Sequence, residues 1–118
     1  MYNNTITINL AEIKKDVTGT LKFRKPKASE MIEVAEAQTQ LQDENTLREK
    51  QGLKPKEVNA GMVAVIEKLV QQCYIDGECE GEQVTRELFE ENFLDLQTVI
   101  HVFSQLSDME GLEQGKAK

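Results

Sequence analysis

Tryptophan is absent from this sequence, aromatic residues make up only 5% of it, and histidine occurs once. The core must therefore be built from Leu, Ile, Val and Met, and its margin of stability is expected to be small, so that a partner or self-association would help. No apolar run approaches the roughly 20 residues a membrane span requires. The opening MYNNTITINL lacks the charged-then-apolar order of a signal peptide. These absences read as a cytoplasmic chain with no membrane partner. Its 118 residues suit one ordinary domain and are too few for a catalytic domain plus a regulatory one.

The side chains that carry chemistry are equally sparse. Cys73 and Cys79 are the only cysteines, and five residues separate them. Zinc sites use shorter spacings and about four ligands, and only His101 remains to help. A redox CxxC is missing as well. Cys73 reads as a core residue and Cys79 as an exposed free thiol, as suits a reducing compartment. His101 has Ser104 three residues later on the same helix, a spacing that helix geometry produces without any catalytic pair. DGECEGE (76–82) lacks the twelve-residue alternation of oxygen ligands of a calcium loop and reads as a solvated acidic turn. Gly77 and Gly81 are each followed by Glu, which would repel a phosphate. No catalytic, cofactor-binding or metal-binding residue is assigned, and the chain reads as a non-enzyme.

What is present is apolar patterning and acidic charge. The most apolar stretch is Met62–Tyr74, where Met62, Ile66, Leu69 and Cys73 recur at helical steps and Val63, Val70 and Tyr74 widen the stripe. It predicts a core helix around which the rest is arranged. This helix starts either with Pro55 in its first turn or with Asn59 as its cap; Val58, one turn before Met62, favours the earlier start. Ile6, Ile8 and Leu10 alternate with polar residues, as do Leu21 and Phe23, and together they predict a short strand or loose hairpin. Ser29 is placed to cap a helix over about 31–50 that is solvated beyond Ala37 and is expected to fray, with Gly52 and Pro55 as stop signals. A capped start at Val84–Thr85 opens RELFEENF. Asp95 can cap a further start, with Leu96, Val99, Ile100, Phe103 and Leu106 at helical spacing, giving two helices with a kink near Leu94 or one bent helix.

The expected fold is mainly α, a small domain of three to four helices with an N-terminal β-strand or hairpin; α+β is the alternative. The chain divides into a β arm (1–27), a helical body (28–107) and a polar tail (108–118) expected to be disordered. Charge follows the same division: the arm carries +4 and the remainder −11, for the net −7. Such a body repels phosphate, which leaves only Lys22, Arg24, Lys25 and Lys27 for a nucleic-acid contact, and these are expected to pair with the protein's own acidic surface. Nucleic acid is not expected as a partner. Phe89, Phe93, Leu94, Leu96 and Phe103 concentrate apolar surface in a short acidic segment, where core packing competes with a groove or ridge for a partner helix.

The order of these features resembles a known family. A short strand, FRKPKASE (Phe23 to Glu30), a polar helix, an apolar helix ending in LVQQCYIDGE (Leu69 to Glu78), and VTRELFEENFLDLQTVIHVFSQL (Val84 to Leu106) are together similar to the tail assembly chaperones of long-tailed phages and prophages, over roughly residues 5–107. The resemblance implies a protein that coats the helical tape measure protein, keeps it soluble, helps recruit tail tube subunits and is absent from the finished virion. It also implies a longer product of a minus-one frameshift near the end of the reading frame, carrying the contact to the tail tube protein; Gln114, Gly115 and Lys116 can be encoded by a slippery heptamer. A homo-oligomer is compatible with these expectations. The alternative function, from a different class, is an acidic regulatory module that mimics nucleic acid and inhibits a host protein.

Overall fold

In the computed structural model, which describes residues 4–116, the first alternation becomes β1 (Thr5–Asn9), followed by a 3-10 turn at Leu10–Glu12 and then β2 (Gly19–Arg24). The strands pair antiparallel with Ile6 opposite Phe23 and Ile8 opposite Leu21. That register places four apolar side chains on one face and the threonines and lysine on the other.

Helix α1 (Ala28–Lys50) starts earlier than the sequence predicts, and Ser29 lies inside its first turn. The reason is Glu30, whose carboxylate reaches back to accept the Lys27 amide at 2.7 Å and satisfies a donor that the helix itself cannot. Only Val34, Ala37 and Leu41 are buried along its length. The polar second half does not stand alone: Asn45 exchanges two hydrogen bonds with the backbone of Lys56, at 2.8 and 2.9 Å. Arg48 Nε donates to the Lys54 carbonyl at 2.8 Å, and Glu44 accepts from Asn59 at 2.7 Å. The polar residues of 42–50 are thus a rail on which the loop to the next helix is laid. At the helix end, Gly52 (φ +76°) adopts the left-handed conformation, and the Leu53 and Gly52 amides return to the Arg48 and Glu49 carbonyls.

The core helix, α2 (Ala60–Cys73), begins at Asn59, whose side chain accepts the Met62 amide at 2.8 Å. This cap corrects the expected earlier start near Pro55: residues 53–58 are the loop held by α1. Helix α2 lies at the centre, in contact with α1, with β2 and with the last helix.

Tyr74–Cys79, expected to close the helix and enter an acidic turn, is β3, which pairs antiparallel with β2 and turns through Glu80–Gly81 into β4 (Glu82–Gln83). Both turn residues have positive φ, +51° and +86°, the two-residue hairpin geometry that matches strand twist. A register shift in the β2–β3 ladder leaves Ile75 as an extra residue, so Tyr74 faces Phe23 and Gly77 faces Leu21. Without the bulge, the strand would turn Asp76 and Glu78 inward.

Helices α3 (Arg86–Asn92) and α4 (Leu96–Lys116) complete the chain. They are two helices, not one bent helix, and each has its expected cap: Thr85 Oγ1 accepts the Leu88 amide, and the Asp95 carboxylate accepts both the Thr98 amide and hydroxyl. Helical backbone continues through Lys116, across positions where the sequence predicts a disordered tail; residues 117–118 of that tail lie outside the described residues. The architecture is therefore α+β, with 57% of the residues helical and a four-stranded antiparallel sheet in the order β1-β2-β3-β4. This corrects the mainly α expectation in favour of its alternative. The physical cause is the bulged β3, which joins the N-terminal hairpin to the helical body. Among the described residues no helix is long and apolar enough to cross a membrane.

Candidate partner-binding surface

The candidate surface is assembled around an aromatic cluster under the sheet. Tyr74 stacks on Phe89 with centroids 4.1 Å apart, and Phe23 meets both rings edge-on at 5.6 and 5.7 Å. Phe93 extends the stack at 6.2 Å from Phe89. The Tyr74 hydroxyl donates to the Val84 carbonyl, tying α2's end to the segment that leads into α3. Burial, with the nearby Asp76 charge, pushes the Tyr74 hydroxyl up to about 12. Arg86 then closes the corner, its guanidinium donating to the Gln71 carbonyl at 2.7 Å and the Tyr74 carbonyl at 2.8 Å.

This cluster divides the five residues expected to touch a partner. Phe89 is fully buried and Phe93 nearly so, and both belong to the core. Thr85 caps α3 so that Phe89 points under β3, where ring stacking and burial hold it. Leu94 and Phe103 are half-buried, and Leu96 is 52% exposed. Leu96, Ile100 and Phe103 follow the i, i+4, i+7 spacing of one helix flank on α4, while Val99, Val102 and Leu106 face the core. Sequence reasoning missed Ile100 and Leu88, each 41% exposed, as surface residues. The helical periodicity marked both as apolar but could not say which way their helices turn.

A groove of about 410 Å³ lies between the β3–β4 hairpin and α3. Cys79, Val84, Leu88 and Phe93 supply its apolar lining, and Glu80 and Glu82 stand beside them. Cys79 is half-buried here and not the exposed thiol expected. Cys73 is buried as expected; desolvation pushes its thiol up to about 11, which keeps it protonated and unreactive at neutral pH. Among the described residues no cluster of three His, Cys, Asp or Glu side chains is placed to hold a metal ion.

His101, from α4, faces Glu12 of the 3-10 turn at 3.4 Å. Two further contacts dock α4 on this turn: Gln97 donates to the Ile13 carbonyl at 3.2 Å, and Lys14 approaches Asp95 at 3.4 Å. The His101 ring therefore sits within a structural seam.

The basic cluster of the arm is partly engaged within the chain. Arg24 forms a two-pronged pair with Glu30 at 2.9 Å for each contact, and Lys22 lies across the ladder from Asp76. The Arg24 guanidinium holds the Glu30 carboxyl below the usual glutamate range, with the Lys27 amide assisting against a desolvation cost. A carboxylate depressed in the folded state contributes stability at neutral pH, and that contribution is lost as pH falls from the ordinary glutamate range through the lowered value. Glu30→Gln should therefore cost about 1 kcal/mol at neutral pH, and the difference from the parent should vanish near pH 2. Urea denaturation at both pH values checks this; a difference that persists in acid would mean that the shape of Glu30, not its charge, is what matters.

In comparisons with known proteins, no family model matches the chain, and no significant match is found among curated proteins or solved structures.

Proposed function

We propose that this chain is a non-enzymatic phage tail assembly chaperone that acts in the bacterial cytoplasm, covering apolar stripes of the tape measure protein and helping to recruit tail tube subunits. One observation carries the reading: Leu88, Leu96 and Ile100 remain exposed on the acidic C-terminal half of a domain short of core-forming aromatics. An apolar surface on a highly charged body suits a protein that shields another chain from aggregation while keeping the complex soluble. The resemblance over residues 5–107 supports the same reading and supplies the partner. Many copies on one long partner need only weak individual contacts.

A second reading is favoured by one specific observation. Residues 74–93 hold seven acidic side chains and one basic, so most of the net charge sits on the hairpin and α3. An acidic mimic of nucleic acid that inhibits a host protein would use that charge alone.

The test is an N-terminal tag on the native gene with its downstream DNA intact, followed by sizing of the products and identification of what copurifies. The chaperone reading expects the tape measure protein, together with a longer minor product from frameshifting. A host DNA-binding enzyme with a single product would overturn it in favour of the mimic; the tape measure protein with a single product would remove only the frameshift.

A further inference from the structure

The groove between the β3–β4 hairpin and α3 combines apolar side chains with an anionic rim. The exposed Leu88 and the half-buried Cys79 supply its apolar wall over a floor of the nearly fully buried Val84 and Phe93, and Gln83 and Asn92 add polar groups. Its rim is anionic, with Glu80 at the hairpin tip and Glu82 on β4. Among the described residues neither carboxylate has an ion-pair partner, and α3 adds Glu87, Glu90 and Glu91, which are likewise unpaired. The only basic side chain between positions 74 and 93 is Arg86, and its guanidinium is occupied by the Gln71 and Tyr74 carbonyls. The net charge of this stretch is −6, nearly the whole −7 of the chain, and nothing in its own sequence neutralises it.

We propose that this groove docks one face of a cationic amphipathic helix of a partner protein, apolar side chains entering against the exposed Leu88 and the half-buried Cys79 and flanking Lys or Arg meeting Glu80 and Glu82. The proposal rests on the chaperone reading only in naming a helical partner. Charge complementarity selects the occupant: an acidic or neutral helix would leave the rim repelled or unpaired, whereas a cationic one gains association rate and register from it. The volume is sufficient for a few large side chains, the usual anchors when a helix lies in a groove. The rim also disfavours contact between two copies through this face, since it would bring unpaired carboxylates together.

The probe is a fluorescent synthetic peptide of Leu and Lys at helical spacing, titrated into the full chain, with a Glu-for-Lys version as control. Amide shifts in a 15N spectrum locate the contact. The cationic peptide should saturate and shift Val84, Leu88 and Phe93, and the Glu version should not bind. Leu88→Asp should weaken binding about tenfold or more while leaving the fold intact, since position 88 is exposed and an acidic residue suits the first turn of α3. Glu80→Gln with Glu82→Gln should also weaken it about tenfold at low salt, with a smaller effect at high salt. Equal affinity for Leu88→Asp and the parent would overturn the proposal, and would instead describe charge attraction of the kind an acidic mimic uses. Binding of the Glu peptide would overturn it too. The functional reading fails separately: if the tape measure protein copurifies with Leu88→Asp as well as with the parent, the chaperone reading stands and the groove falls. If it copurifies with neither while the peptide still binds the groove, the reverse holds.

Discussion

Phe89→Ala should cost about 3–5 kcal/mol, the largest loss expected from any single truncation in this protein. The ring is fully buried, stacked on Tyr74, edge-on to Phe23 and next to Phe93, so its removal opens a cavity at the one place where the sheet, α2's end and α3 meet. Aromatic pairing adds about 0.5–1.5 kcal/mol to the burial term, and three pairs are lost together. A domain of this size holds about 5–15 kcal/mol in total, so the variant should be close to unfolding at growth temperature. The control is Leu96→Ala, where a half-exposed side chain on α4 should change stability by only about 0.5 kcal/mol. Urea denaturation of both variants separates the two roles that the sequence assigned together to Phe89 and Leu96. Comparable losses would mean that Phe89 is not the centre of the cluster.

That division shows what the sequence could and could not reveal. The core helix was legible because its apolar residues repeat at helical steps over thirteen positions, and Met62, Ile66, Leu69, Val70 and Cys73 are indeed buried. The hairpin of β1 and β2 was legible for the corresponding reason in a period of two. The caps at Thr85 and Asp95 were visible as residue types, and both form. Strand β3 was not legible, because the bulge at Ile75 breaks the alternation that marks a strand and its inward positions are Tyr74, Gly77 and Cys79. Two of these three are not recognisably strand-forming, and acidic residues fill the outward positions, so the segment has the composition of a turn. The groove depended on β3 and was hidden with it. The polar half of α1 was opaque for a different reason: its role is to bind backbone atoms of the 53–59 loop, and backbone groups carry no sequence signal.

The β2–β3 ladder is tested most directly at Gly19, where Gly19→Ala should cost about 2–5 kcal/mol. Two effects combine there. The residue has φ +137°, a conformation that L side chains rarely adopt, and a Cβ would lie 2.2 Å from the Glu78 carbonyl oxygen and 2.9 Å from the Cys79 Cα. Both obstacles are backbone, so relief requires the strands to part, with loss of the pairing of Gly19 with Cys79 and of the neighbouring bond from the Glu80 amide to the Thr18 carbonyl. Conformational strain contributes about 1–3 kcal/mol and the clash a similar amount. Gly52→Ala separates the two effects, because Gly52 also has positive φ, +76°, but nothing lies within 4 Å of its Cβ position. It should lose only the conformational part, about 1–2 kcal/mol. The difference in urea midpoint between the two variants therefore measures the close approach of β2 to β3. If Gly19→Ala is no more damaging than Gly52→Ala, the acidic segment is not paired where the register places it, and the groove beside it loses its wall. A larger loss at Gly19 would establish, through a residue on the opposite strand, that the stretch from Tyr74 to Cys79 is part of the sheet.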